Sequence, residues 1–360
     1  MANTNFSFDC DVNQFPSLTW NHLNINRGHL SASAGGAAAF RTAGLPEGIS
    51  LESIRLSGLP QKLSSVRTGM GGAFDSQFDG MADAVPVSVY TVSEGAKPGS
   101  PVRLSLDSGE GLSDTVIIAR KGSESSFIFE MQGGADGGTA GNRIRILAAE
   151  ASRVRIALVN LLDGNTVHFD SVGADVKAGA RVEVTELQLG GSKVFSGSCY
   201  ELSGESSSFE GRLAYLVDKK RSLDVNYVAR QTGRDSSSSM KVDGVISDEG
   251  SKTWRGTIDF VKGAVDAKGD EQENVLLMSP AAVNKSLPVI LCDEEAVDGR
   301  HGSSIGRIGA DILFYMQSRG IDELSAKKIM VKSKVATASR FIQDADVVER
   351  INRHLEGAFA

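Results

Sequence analysis

From about Val85 onward, short stretches alternate apolar and polar side chains for roughly 200 residues, with no amphipathic helix between them. Val102, Leu104 and Leu106 occupy every second position. The same holds for Phe127, Phe129 and Met131, for Ile144 and Ile146, and for Val154, Ile156 and Leu158. It recurs in Leu223, Val225, Tyr227 and Ala229 and again in Gly256, Ile258 and Phe260. A period of two puts one face of a strand inside and the other in water. Val182, Val184, Leu223, Val225, Ile258 and Phe260 are therefore expected to point inward. At Val182-Val184 the phase shifts to Leu187-Leu189 across Thr185-Glu186, a slip expected of a strand that turns a corner.

Such a series suits a sandwich, a propeller or a parallel β-helix. No blade-length repeat with a Trp-Asp or Gly-His mark is present, which counts against a propeller. A β-helix, in which each coil stacks on the last, suits a glycine-rich aliphatic chain with irregular coil lengths. Forty glycines against eight prolines, and aromatics at only 6%, describe such a chain. Periodicity alone leaves the β-helix level with a sandwich.

The flanks differ from this body. Residues 1–84 have poor periodicity, a small-residue tract from Ser31 to Ala39 and a Gly/Asp/Met-rich stretch from Thr68 to Ala82. That composition predicts an irregular, partly mobile region. Its exception is Thr19 to Asn26, where Trp20, Leu23 and Ile25 form an apolar docking segment. After Ile308 the period becomes helical. Asp311 is placed to cap a helix to Ser318, with Gly320 as its stop. Asp322 can start a second helix through Leu324, Ile329 and Val335. A third runs from Asp346, with Glu349 in a capping box and Val347, Val348, Ile351 and Leu355 on one face. The expected division is 1–84, a β body over 85–306 and a helical domain over 307–360, whose removal should leave the body folded.

A formal charge of −7 argues against a general nucleic-acid binder. Neither a leader-like segment after Met1 nor a run of about 18 apolar residues is present, so a cytoplasmic protein without membrane insertion is expected. Cys10, Cys199 and Cys292 lie far apart and form no CxxC pair. No phosphate-binding Gly-x-x-x-x-Gly-Lys-Ser/Thr loop occurs.

The C-terminal part carries a more specific pattern. Pro288-Val289-Ile290-Leu291 opens a strand, and an acidic stretch leads to His301-Gly302-Ser303-Ser304-Ile305-Gly306. Phe314-Tyr315-Met316-Gln317-Ser318-Arg319-Gly320-Ile321 follows. Together these resemble the C-terminal signature of the SufB/SufD family, the paired scaffold proteins of SUF iron–sulfur cluster assembly. Matching covers roughly residues 154–355. SufB-like members carry a cysteine two residues before this histidine; here Gly299 stands there, so the chain looks like a short form of SufD. Glu295 is kept, while Ala296 replaces its acidic neighbour. The central strands around Gln231 and Arg234 lack the histidines often present in the family.

The resemblance implies a right-handed parallel β-helix with a C-terminal helical domain. It also implies pairing with a SufB-like subunit, or a second copy of this chain, through the β-helix. A SufC-type ATPase would dock on the C-terminal helices, with Phe314, Tyr315 and Arg319 as the contact positions. The chain itself would be a non-catalytic scaffold, with ATPase activity in the partner. An iron–sulfur cluster or iron would be held only transiently, at the subunit interface.

His301 is the leading candidate there, since a neutral imidazole ligates iron; the alternative is a turn histidine. Glu295 or Asp298 is expected close enough to bias its protonation. Asp293, Glu294, Glu295 and Asp298 offer hard oxygen ligands, or form a solvated edge. Cys292 offers a thiolate, but a buried, inert thiol is the favoured reading, as for Cys199. Two rival functions are a carbohydrate-active β-helix enzyme and a purely structural adaptor.

Overall fold

The computed structural model describes residues 6–358 apart from 18–22, 39, 43, 82–83 and 135–136. The body is a parallel β-solenoid of about eight turns built on two nine-stranded sheets. One sheet holds β4 (Ile49–Ile54), β5 (Val87–Val92), β7 (Gly111–Ala119), β9 (Gly138–Ala148) and β11 (Thr166–Val176). It continues through β13 (Lys193–Leu202), β15 (Ser222–Gln231) and β17 (Ser251–Phe260) to β19 (Val283–Cys292). The other holds β3 (Arg41–Thr42), β6 (Val102–Leu106), β8 (Glu124–Gly133), β10 (Arg153–Leu162) and β12 (Arg181–Gln188). It continues through β14 (Ser208–Val217), β16 (Ser237–Ile246) and β18 (Lys268–Leu277) to β20 (Asp298–Arg307). From β5 to β20 consecutive strands belong to opposite sheets, so each strand pairs with the one two places along the chain.

The turns explain why the coils stack. Gly122, Ala151, Gly179, Ser206, Asp235 and Asp266 each adopt a left-handed conformation, with φ between 50° and 66°. Each of their N–H groups donates to a carbonyl of the following coil: Ala151 to Ala178 at 2.8 Å, Gly179 to Glu205 at 2.8 Å, Ser206 to Arg234 at 2.8 Å. The next residue is always small and buried: Ser123, Ser152, Ala180, Ser207, Ser236, Ala267. One corner of the solenoid is therefore a ladder of matching turns, and its backbone groups are satisfied by the neighbouring coil.

Inside runs one apolar column. Val182, Val184, Leu223, Val225, Ile258 and Phe260 all belong to it and are buried. The corner expected at Thr185-Glu186 does not exist. Alternation continues unbroken along β12: Glu186 faces inward, where the hydroxyl of buried Tyr227 donates to it, and Leu187 faces outward. Leu187 is apolar because the C-terminal helices cover that outer face, so two apolar faces imitated a change of phase.

The N-terminal region is more ordered than its composition suggested. Strands β1 (Phe6–Val12) and β2 (Gly28–Ala34) pair antiparallel, and helix α2 (Gly72–Asp79) follows the one-turn helix α1 (Gln61–Ser64). Phe6, Phe8, Leu30, Phe74 and Phe78 pack on Phe169 and Phe195 of the solenoid's outer face. A few aromatic anchors suffice where a preformed apolar wall exists, and averaged composition hides them. In the docking segment, Ile25 is buried against Phe15 and Leu287, whereas Leu23 is exposed. Trp20 lies outside the described residues.

Three helices end the chain: α3 (Ala310–Ser318), α4 (Glu323–Ser339) and α5 (Ala345–Gly357). Asp322 caps α4 through Ser325 N–H as expected, and Gly320, at φ +81°, ends α3. The other two caps differ from expectation. The N-cap of α3 is Gly309, with Asp311 inside the first turn. The N-cap of α5 is Asp344, which accepts from Asp346 and Val347 N–H, while Glu349 pairs with Arg353. Leu324 and Ile329 of α4 are exposed; Val331 and Val335 make its buried face. Helices α4 and α5 share a core with Val159, Leu187, Leu189, Ala214 and Leu216 of the sheet beneath. Removing residues 307–360 would uncover this apolar face, so the body cannot be expected to survive the deletion unchanged.

Candidate functional site

The solenoid is closed at its first coils and open at its last. At the start, β3 and β4 run antiparallel to their neighbours, and Phe40 meets Phe129 edge-on at 5.3 Å. At the other end β19 pairs only with β17, and β20 only with β18. Every residue of β20 is exposed, because no further coil covers it. Pro288 lies in the middle of β19 and does not open it, a position tolerated because this is an edge strand.

His301 stands on this uncovered strand, in register with Glu271 of β18. A Cβ placed on Gly299 would come within 2.9 Å of the Phe260 ring and 3.2 Å of Ile290, so the Gly299 position faces the interior column. Two residues on, His301 lies on that same side, over the end of the column. Its ring is exposed and forms no hydrogen bond with any described residue. The same contacts show that a cysteine side chain at Gly299 would press on Phe260.

Neither acidic neighbour hydrogen-bonds to His301. Both carboxylate oxygens of Asp298 accept from Arg300, at 3.1 and 2.7 Å, which holds Asp298 below the usual carboxylate range. The Glu295 side chain is exposed and hydrogen-bonds to no described residue, and Glu294 instead accepts from the N–H of Gly263 at 3.0 Å. Glu271 is thus the carboxylate that the strand register sets beneath His301. Cys292 is exposed, not buried: it ends the last strand of its sheet, and its thiol donates to the Glu294 carbonyl at 3.1 Å. Cys199 is buried, and burial pushes its thiol up to about 11. No three His, Cys, Asp or Glu side chains among the described residues come together as a metal-holding group.

Beneath the edge lies polar machinery that sequence reading passed over. Trp254 Nε1 donates to Glu271 Oε1 at 2.6 Å, while Glu271 Oε2 is buried without a partner. Burial pushes Glu271 up to about 7. Buried Lys252 pairs with Glu273 and donates to Ser286 Oγ at 3.2 Å. Ser303 Oγ of the open strand donates to Glu273 Oε2 at 3.1 Å, tying the edge to this interior pair. A shallow depression of 390 Å³ follows the edge past His301, Arg300, Ser303 and Glu273.

Deeper in the stack, His168 presents Nδ1 to the Ala140 carbonyl at 2.8 Å and Nε2 to Asp170 at 2.7 Å. Gln188 donates to both Asp170 and Glu186, at 3.2 and 2.6 Å. Burial opposes charge on His168, but the Asp170 carboxylate outweighs it and raises the imidazole; burial raises Glu186. His168 is thus a central-strand histidine, away from the Gln231 and Arg234 vicinity where one was sought. The available signal was phase: His168 and Asp170 occupy the positions that Val172 and Ala174 continue inward.

At the C-terminal helices, Phe314 is 72% and Tyr315 59% exposed, and Ile312 beside them is half exposed. The Arg319 guanidinium lies 5.3 Å from the Tyr315 ring centre. Ile312, Phe314 and Tyr315 share one short helix, with Arg319 as its C-cap, that contributes nothing to the core beneath α4 and α5.

The fold and its edge define a parallel β-solenoid protein with one uncovered end and a helical flank. Residues 105–334 match the family described as SUF system FeS cluster assembly, SufBD core domain, and the chain belongs to that family. Among similar curated proteins is the iron-sulfur cluster assembly protein SufD of Escherichia coli, 24% identical over 213 residues, which are 58% of this chain and 50% of that one. SufD of Bacillus subtilis is 23% identical over 175 residues, covering 49% and 40%. A SufBD family protein of Mycobacterium tuberculosis is 23% identical over 228 residues, covering 61% and 57%. The matches thus span about half the length of these relatives. Among the described residues no helix is long and apolar enough to cross a membrane.

Proposed function

We propose that this chain is a SufD-like scaffold subunit on which iron–sulfur clusters are assembled in the cytoplasm. Its open end, β19 and β20, pairs with a SufB-like subunit or a second copy of the chain. His301 supplies an imidazole to the iron or cluster carried transiently between the two. Helix α3 docks a SufC-type ATPase through Phe314, Tyr315 and Arg319, and the chain itself performs no catalysis. The observation that carries this reading is a fully exposed final strand whose histidine has an unengaged ring. An edge strand with unpaired N–H and C=O groups is a template for another chain, and a single chain whose donors are scattered needs ligands from a partner to complete an iron site.

The test is anaerobic co-expression with SufB-like and SufC-type partners, followed by iron and sulfide analysis of the purified complex. His301→Ala is expected to leave the complex and its thermal midpoint unchanged while iron and sulfide fall several-fold. Unchanged iron and sulfide would make His301 a turn residue and leave the adaptor reading standing. Neither the family match nor the arrangement of carboxylates along the coils favours the carbohydrate-enzyme reading.

A further inference from the structure

The outer face of the sheet that contains β8, β10, β12 and β14 is divided along the strands. From the middle of the strands onward, Ile128, Ala157, Val159, Leu187 and Leu216 lie under the helices. The N-terminal halves of β10, β12 and β14 carry arginines. Arg153 and Arg181 are direct neighbours across β10 and β12, an arrangement that like charges disfavour. Arg155 and Arg212 extend the row, and Arg340, from the α4–α5 connection, closes it from above. The half-open cavity measures 390 Å³, within the range of small-molecule sites.

Five arginines line this cavity against two glutamates, Glu183 and Glu210, in a chain whose formal charge is −7. The glutamates do not use up the donors. Arg153 and Arg155 reach the same Glu183 oxygen through Nε alone, at 2.8 and 3.1 Å. Their terminal nitrogens, and the whole Arg340 guanidinium, meet no acceptor among the described residues. Arg181 bridges Glu183 and Glu210, at 3.0 and 2.6 Å. Arg212 is held in place, its guanidinium lying 3.7 Å from the centre of the Phe341 ring. Adjacent strands are about 4.8 Å apart, so forks on successive strands are spaced to grip neighbouring anionic groups of one ligand.

We infer that this cavity, between the solenoid and the α4–α5 connection, binds a small molecule bearing adjacent anionic groups of the pyrophosphate class. Arg155, Arg153 and Arg340 supply the free forks, while Arg181 and Arg212 set the wall. A cationic wall repels ferrous iron, so this site is separate from the open end, three strands further along the sheet. The ligand would bridge Arg340 to the sheet and hold the helical layer down, which couples occupancy to the position of α4 and α5.

The probe is inorganic pyrophosphate, titrated calorimetrically into the full-length protein at physiological salt. One site per chain is expected, with a rise in thermal midpoint and slower amide exchange over residues 340–344. Arg155→Gln/Arg340→Gln, which leaves the core and the pairs that Arg153 and Arg181 make with Glu183 and Glu210 intact, should weaken binding by at least about tenfold. Lys219→Gln/Lys220→Gln removes the same charge elsewhere and should leave binding unchanged. Equal weakening by both pairs of changes, or heats that never saturate, would reduce the effect to general electrostatics and overturn the proposal. Tighter binding of hexaglutamate than of pyrophosphate would overturn it in favour of an acidic peptide surface.

Discussion

Glu271 shows how burial and charge compete at a single residue. Its Oε1 accepts from Trp254 while Oε2 has no partner, and burial sets its titration at about 7 against an ordinary 4.5. Between those two values the folded chain binds more proton at this site than the unfolded chain does. Stability therefore falls as pH rises across that window, and levels off above it. The cost amounts to about 3 kcal/mol at pH 8. Glu271→Gln keeps an acceptor for Trp254 and removes the titration. Urea unfolding should find the variant close to the parent at pH 4.5 and more stable by about that amount at pH 8. Equal differences at the two pH values would refute this account. The His301 ring is exposed and hydrogen-bonds to no described residue, which makes it the cleaner position for testing function.

Among the elements, the helical flank divides into a structural part and a presenting part. Helices α4 and α5 are fixed by shared apolar packing and by Arg350, which grips Glu130 of β8 with two hydrogen bonds. Helix α3 stands outside this core with Ile312, Phe314 and Tyr315 in water. Phe314→Ala/Tyr315→Ala should therefore leave the thermal midpoint within about 1 °C, since surface changes cost little, yet abolish co-purification with a SufC-type ATPase. Undiminished co-purification would move the docking site off α3. This separation was partly legible beforehand. Val347, Ile351 and Leu355 share a face in the sequence, and all three are buried. Leu187 misled, because the alternation rule assumes one wet face and this strand has two covered ones. Glu271 and Glu273 were overlooked because Asp270-Glu271-Gln272-Glu273 reads as a solvated run; only their phase with Val275 places them inside.

Across the whole molecule, stability is distributed along a stack. Each coil touches mainly its two neighbours, so protection should depend on position in the stack. Amide exchange is expected to be slowest in β11 and β13 and fastest in β20, with β19 and β20 slowing sharply once a partner is bound. Fast exchange persisting in β20 within a purified complex would rule out pairing at this end. The sequence held a clearer mark of this architecture than strand alternation. Gly122-Ser123, Ala151-Ser152, Gly179-Ala180, Ser206-Ser207, Asp235-Ser236 and Asp266-Ala267 recur at roughly 29-residue intervals, one per coil. They escaped notice because the turn demands a conformation and a size, which Gly, Ala, Ser and Asp all meet, and not one residue type.

The contrast between the two ends carries a further consequence. In the vocabulary of polymer chemistry, a stack open at both ends is a difunctional monomer and grows into fibres. Here β3 and β4 run against the coil direction, while Phe40 plugs the column. The chain is thereby monofunctional. On the proposed pairing, joining its free end to that of a similarly built chain would leave no reactive terminus on either, so the reaction would stop at two and the pair would be its own chain terminator.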